Sequence, residues 1–511
     1  MLHRSRLLSL PFLAILPASA AAQGLPDVFV SDSNDNQIWR CTDVDQNGDY
    51  NGSSETAVFY DDALGAVPLT FNAAVWYSPD GAVWVSDTDE DVLVRLVDLD
   101  ADGTANGAGE ATVWFDGRAG GNAEGVLMWS ARGLWRDPDG VFYVASNNTT
   151  SGGEDAILRL EDLNQDGDAN DAGESLEFYK PSPGGALGDS IPTAIVRGAD
   201  GAFYYAENGI GTNPPRGAYR LEDLDGSGTI DQPNEVSAFF LAPPQAGNAF
   251  HWEITIGPDG TIYLGDNGNE IIWRLVDANM DGVIDPATEA NPFWSVGVPS
   301  TIWDIDVASD GSLYVAEDQT PDRLFRLVDA NADGSIDPAT EVFEIYSENV
   351  SPNAFGSAQA LAVVDGPQDV GTPYCGPAVV NSSGASAEIS AVGTDRVAEN
   401  DLTLEATSLP RNSFAFFLTA DGQGFLANPG GSQGNLCLSG SIGRYVGPGQ
   451  IQNAGLAGTV RLDLDLTQHP TPNGLIAVQA GETWYFTTWF RDSVGGAPTS
   501  NFSDGLSVTF R

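Results

Sequence analysis

The chain reads as an all-β protein, a six-bladed β-propeller followed by a β-sandwich domain, and three features of its 511 residues predict this. An Asp-rich loop recurs six times between residues 43 and 341. Each recurrence sits among four short β-rich runs, with nothing in the unit that carries the 3.6-residue apolar period of a helix. Beyond residue 374 the loop stops while alternating apolar runs continue.

The first element is not part of the fold. Met1–Ala22 opens with Arg4 and Arg6, continues through an apolar stretch from Leu7 to Leu16 and ends in small residues around Ala18–Ala20. That is the pattern of a signal peptide, cleaved after Ala20 or Ala22, with a processed chain starting at Gln23 preferred. Pro11 and Pro17 argue against an ordinary buried helix there. No later segment has the run of roughly 18 apolar residues that a spanning helix needs. The expectation is an exported protein, extracellular or on the cell surface. The charge of −51, from 72 acidic against 21 basic residues, repels phosphate backbones and excludes nucleic acid as a partner class. It suits either a salty medium or divalent cations, and the placement of many Asp residues in fixed loops favours cations.

The propeller is expected over residues 23–366. Ile38-Trp39-Arg40, Leu93-Val94-Arg95-Leu96, Ile157-Leu158-Arg159-Leu160, Tyr219-Arg220-Leu221, Trp273-Arg274-Leu275 and Phe325-Arg326-Leu327 each precede a loop whose first Asp is at 43, 98, 162, 223, 277 or 329. A Glu and an aromatic run follow each loop. Asp80-Gly81, Asp139-Gly140, Asp200-Gly201, Asp259-Gly260 and Asp310-Gly311 mark tight hairpins before the next β-rich run. Four strands at this spacing make one blade. Inner strands are expected near 73–77, 133–135, 193–196, 252–256, 303–307 and 360–364. The first unit lacks an inner strand and the last inner strand lacks followers, so the two chain ends should complete one blade and remove the free sheet edges.

The loops carry the chemistry. Loop 1 offers Asp43, Asp45, Asn47, Asn51 and Glu55, and loop 2 offers Asp98, Asp100, Asp102, Asn106 and Glu110. Loop 3 has Asp162, Asn164, Asp166, Asn170 and Glu174; loop 4 has Asp223, Asp225, Ser227, Asp231 and Glu235. Loop 5 has Asp277, Asn279, Asp281, Asp285 and Glu289, and loop 6 has Asp329, Asn331, Asp333, Asp337 and Glu341. Oxygen side chains at positions 1, 3, 5 and 9 with Gly at 6 suit a hard cation with six to eight ligands, so Ca2+ is the expected ion. Polar hairpin turns are the plainer alternative. The loops resemble EF-hand and dockerin calcium loops, with the Glu at position 13 where those families place an acid at 12, and with β-rich flanks in place of helices.

Tyr143-Val144-Ala145, Tyr205-Ala206-Glu207 and Tyr314-Val315-Ala316-Glu317, each after a tight turn, resemble blades of the NHL and gluconolactonase-like (SMP-30) propellers over about residues 27–366. That resemblance implies a six-bladed propeller and, in its lactonase members, one metal held in the channel by a Glu, Asn and Asp set. Candidate channel residues are Asn72, Arg132, His251, Glu253, Asp304 and Gln359, with Asp32, Asp87, Asn147, Glu207, Asp266 and Glu317 at the ends of the next strands. His251 and Glu253, two apart on a strand, should face one way, which makes His251, Glu253 and Asp304 the catalytic candidates. The reading preferred from the sequence is a calcium-stabilised extracellular binding or scaffold protein, with an extracellular protein or carbohydrate as ligand. The alternative is a lactonase-type hydrolase working at the channel mouth. A quinone-dependent oxidoreductase on a similar propeller would need a cluster of basic residues, and these are scarce.

Residues 367–373 are expected to be a linker and 374–511 a β-sandwich, from runs such as Thr459–Leu466, Leu475–Val478, Thr483–Phe490 and Leu506–Phe510 between Gly, Pro and Asn turns. Its Pro429–Cys437 and Trp489-Phe490-Arg491-Asp492 segments resemble a module at the C-termini of secreted bacterial proteins. Trp484, Tyr485 and Trp489 are either carbohydrate platforms or core. Cys375 and Cys437 share this region and are expected to pair, leaving Cys41 as a small buried hydrophobe at a strand end.

Overall fold

The computed structural model describes residues 25–78, 80–137, 139–147, 155–181, 190–209, 215–241, 250–295, 301–364, 368–395, 397, 400 and 402–510. The expected signal peptide, 1–22, lies outside them. The chain divides into two compact units, residues 1–136 with 141–364 and residues 365–511 with the turn 137–140.

The first unit is built from six four-stranded antiparallel sheets. Blades 2 to 6 are contiguous in sequence. They run Asn72–Asp116, Gly133–Tyr179, Pro192–Leu241, His251–Ser295 and Ile302–Ser347. Blade 1 takes Asp27–Asp32, Gln37–Cys41 and Thr56–Asp61 from the start of the chain and its innermost strand, Ala358–Val364, from the end. The innermost strands touch one another in sequence around a closed ring. This is the predicted six-bladed propeller, closed as expected.

The second strands of blades 2 to 6 are buried at every position, because Val, Tyr, Phe and Leu side chains on both faces pack against the neighbouring blades. Hairpin geometry accounts for the recurring Asp-Gly pairs. Gly81, Gly201, Gly260 and Gly311 have φ of 84–87°, a region where L side chains are strained. The preceding Asp also accepts a hydrogen bond two residues on, as Asp259 does from Thr261 N at 2.9 Å. The recurring Arg of the third strand reaches back to this Asp: Arg220 to Asp200 at 3.0 Å and Arg326 to Asp310 at 2.7 Å.

In the second unit one sheet comprises Gln368–Asp369, Glu388–Gly393, Leu402–Thr407 and Val460–Asp463. The other is built around Thr483–Val494, flanked by Phe414–Ala420 and Gly505–Thr509. Ile389, Leu404 and Ala406 of the first sheet share one core with Phe417, Phe486, Phe490 and Val508 of the second, which is a β-sandwich. The expected linker is corrected: Gln368–Asp369 and Thr372–Tyr374 already pair into the two sheets. Trp484 is core, its ring tilted against that of His469 at 4.1 Å, so it is no ligand platform. Cys375 and Cys437 form a disulfide, and Cys41 is free and fully buried, where burial pushes its thiol far up.

Candidate functional site

Two places collect chemistry in the propeller: the ring of Asp-rich loops and the mouth of the central channel.

Each loop joins the third and fourth strands of its blade and folds on the same hydrogen bonds. The first Asp accepts from the amides of positions 5 and 6: Asp98 from Asp102 N and Gly103 N, and Asp277 from Asp281 N and Gly282 N, at 2.8–3.2 Å. The closing Glu turns inward in all six loops. Glu110 accepts from Leu99 N, Asp100 N and Gly107 N at 2.9, 3.2 and 2.6 Å. Glu174 does so from Leu163, Asn164 and Asp171, and Glu341 from Ala330, Asn331 and Asp337. The Glu is thus an internal strut of the loop, which explains a position one beyond that of the helix-flanked families.

The amide at position 8 leaves its own blade. Tyr50 N donates to Ile345 O, Ala105 N to Phe59 O, Ala169 N to Trp114 O, Ile230 N to Phe178 O, Ile284 N to Phe239 O and Ile336 N to Phe293 O, all at 2.7–2.9 Å. Every acceptor lies on the outer strand of the preceding blade, and every position-8 side chain is buried. The loops therefore clasp the blades together in a closed ring of six. Position 9 is held differently from loop to loop. In loops 1 to 3, Asn51, Asn106 and Asn170 accept from Ser347 N, Asp61 N and Asp116 N of the neighbouring blade. Asp285 and Asp337, at the same position, stay exposed and cap their own turns. Three loops bring carboxylate oxygens within 4.8 Å of one another: Asp43, Asp45 and Glu55; Asp98, Asp100 and Asp102; Asp223, Asp225 and Glu235. Loops 3, 5 and 6 carry Asn164, Asn279 and Asn331 at position 3, so an amide oxygen replaces one carboxylate there.

At the channel mouth the innermost strand slips register in five of the six blades. The residues left unpaired by the slips are Ala73, Thr193, Trp252 with Glu253, Trp303 and Gln359. Such bulges re-aim side chains. All of these except Thr193 line one cavity, together with Arg132 and Asp304.

The guanidinium of Arg132 sits among three rings, 4.8 Å from the centroid of Trp252, 5.5 Å from Phe71 and 5.8 Å from Trp303. Asp304 accepts from Ile305 N at 2.8 Å and from Leu361 N at 2.6 Å, and Asp306 accepts from Val363 N at 2.9 Å. These two carboxylates thereby cover the inner edge of the closing strand Ala358–Val364. Burial raises Glu253 and Asp304 well above the ordinary carboxylate range, with Asp304 adding to Glu253 and Asp306 adding to Asp304.

Of the three catalytic candidates, Glu253 and Asp304 reach the cavity and His251 does not. The bulge breaks the strand's alternation, so His251 is fully buried while Glu253 turns inward. Burial lowers the imidazole toward its neutral form against the pull of Asp266. The acids after the second strands are not channel groups either; they hold the entry segments. Asp32 accepts from Gly356 N and Ser357 N, Asp87 from Thr70 N and Phe71 N, Asp266 from Phe250 N, and Glu207 from Ile191 N and the Ser190 hydroxyl. Glu317 pairs with Arg323. Asn147 donates to Pro192 O.

The channel metal implied by the lactonase resemblance does not fit these residues. Both Asp304 oxygens are engaged by backbone amides, Asn72 is not among the residues lining the cavity, and a guanidinium lines the cavity where a cation would sit. Phe71, Trp252, Trp303 and Asp306 were not legible as site residues, because only the register slips and the ring closure bring them to the mouth.

No family model matches the chain, and no curated protein matches it. Among solved structures, virginiamycin B lyase from Staphylococcus aureus is 15% identical with a TM-score of 0.35, covering 86% of this chain and 95% of its own. The PQQ-bound aldose sugar dehydrogenase of Streptomyces coelicolor is 14% identical with a TM-score of 0.38, covering 64% and 89%. A protein of unknown function from Bacteroides caccae is 12% identical with a TM-score of 0.40, covering 66% and 99%. At these identities the likeness concerns the fold alone.

Proposed function

We propose that this chain is an exported, calcium-stabilised β-propeller that serves as a binding or scaffold protein, with calcium acting structurally in the blade loops. The ring of loop-to-blade hydrogen bonds carries the reading. An ion that cancels carboxylate repulsion within a loop also steadies the position-8 amide that grips the preceding blade. The acidity then has a use: extracellular calcium modules bind with Kd of about 10⁻⁴ to 10⁻³ M. At roughly 10 mM calcium and a Kd of ~1 mM, each filled loop adds about 1.4 kcal/mol to stability.

Bound calcium and thermal melting of the chain from Gln23, with and without excess chelator, test this. About six ions per chain and a melting temperature that falls sharply on chelation are expected. Fewer than two ions with an unchanged melt would reduce the loops to polar turns. The hydrolase alternative would have to operate without the channel metal, on Glu253 and the groups around Arg132.

A further inference from the structure

We infer that the mouth of the propeller channel is a binding site for a small carboxylate, anchored by the guanidinium of Arg132. The inference rests on the reading of this chain as a binding protein and names the ligand class of its channel.

The first observation is an arginine without a counter-ion among the described residues. In a chain with 72 acidic residues, arginines find carboxylates readily, as Arg40 does with Asp27, Arg118 with Asp116, Arg220 with Asp200 and Arg323 with Glu317. Arg132 has no such ion pair among the described residues, and its Nε is buried without a hydrogen-bond partner. Only the distant pull of Asp89 offsets the cost of its burial. A buried cation left uncompensated is destabilising, so its retention calls for a partner. The three rings around it supply cation–π attraction to its face and leave its in-plane N–H donors for a planar oxyanion, the geometry in which guanidinium binds carboxylate.

The second observation is a set of unpartnered polar atoms in the same cavity. Trp303 Nε1 is a buried donor with no acceptor, and Gln359 Oε1 a buried acceptor with no donor. Gln359 is 6% exposed, and its amide nitrogen is fixed by Asp318 and Ser357 at 2.9 Å, which sets the orientation of its oxygen. Buried polar atoms are nearly always paired with protein, ordered water or a ligand, and three of them, counting Arg132 Nε, converge on this one cavity. Arg132 and Trp303 Nε1 would donate to the carboxylate, and Gln359 Oε1 would accept from a hydroxyl or amide on the same molecule. Two carboxylates share the cavity: both Asp304 oxygens are engaged by backbone amides, and Glu253 forms no ion pair with Arg132 among the described residues and is held toward its neutral form by burial.

Trp252 and Trp303 make the site self-reporting. Tryptophan fluorescence is followed while sodium acetate, and in parallel the isosteric neutral acetamide, is added at constant ionic strength and saturating calcium. The expected result is a saturable change with acetate and none with acetamide. Arg132→Gln should weaken the acetate response at least tenfold, and Trp303→Phe, which removes one N–H and keeps the ring stack, several-fold. The surface variant Phe425→Ser, at an exposed side chain of the second unit, should leave it unchanged. Near-UV circular dichroism checks that each variant is folded, and Trp303→Phe decides alone if Arg132→Gln does not fold. An absent acetate response, an equal response to acetamide, or an unaltered response in Trp303→Phe would overturn the inference. Calcium-dependent melting of the same samples separates that outcome from failure of the calcium reading, which would leave the acetate titration intact.

Discussion

Replacing Glu110 with Gln tests the claim that the closing Glu is the strut of each loop. Glu110 is 3% exposed and accepts from the amides of Leu99, Asp100 and Gly107. Glutamine preserves the shape, but it carries one acceptor oxygen, and its NH2 then faces an amide donor. One of the three hydrogen bonds becomes a donor-donor contact and the other two lose their charge assistance. A hydrogen bond to a charged group is worth about 1.5–3 kcal/mol and a neutral one about 1 kcal/mol, so the expected loss is roughly 3 kcal/mol, concentrated in loop 2. A chain of two units does not promise two-state unfolding, so amide hydrogen exchange is a better assay than a global melt. In excess chelator, protection at Leu99, Asp100 and Gly107 should fall by about two orders of magnitude. Protection at Ala105, whose amide reaches Phe59 O in blade 1, should fall with it. Unchanged exchange at these four amides would refute the strut. Loss at the first three with Ala105 intact would refute the coupling between loop closure and blade docking.

Three further outcomes are expected. Burial raises Glu207 to about 7 in the folded chain, so the fold binds its proton more tightly than the unfolded chain does. Stability should therefore fall as pH rises from about 4.5 through 7, by ~3 kcal/mol at most from this group, and denaturant titrations of Glu207→Gln should lose that part of the slope. His469, buried between the Thr419 and Tyr445 hydroxyls at 3.0 Å, is pushed down to about 4. It therefore costs stability as pH falls from about 6.5 through 4, and NMR titration of its ring should show no protonation at pH 6. Cys41, free and fully buried with its thiol pushed up, should be inert to an aromatic disulfide reagent in the native protein. It should react as one thiol per chain in denaturant without reductant. A native thiol reaction would mean that blade 1 opens.

Much of the fold was legible because it is written in repeats. The spacing of Asp43, Asp98, Asp162, Asp223, Asp277 and Asp329 sets the number of blades, since a repeat of four strands cannot bury its faces alone and must stack on copies of itself. Asp-Gly pairs mark hairpins because their glycines need positive φ. The missing inner strand at one end and the surplus one at the other set the closure, and Asp27–Asp32 pairs with Ala358–Val364.

The sites were legible in composition and not in geometry. The oxygen-rich loops declared themselves by pattern, yet Asn106 and Glu110 look alike as candidate ligands in the sequence. Packing sends Asn106 to the neighbouring blade and turns Glu110 into its own loop. The channel was harder, because strand alternation places His251 and Glu253 on one face, and the bulge separates them. By itself the sequence determined what is local and periodic: strands, turns, repeat number and loop chemistry. Only the tertiary structure decided what depends on ring closure and on one-residue slips in register. Among these are the clasp from each loop to the preceding blade and the Trp252, Trp303 and Phe71 rings around Arg132. Contacts between residues far apart in the chain carry no mark in local spacing.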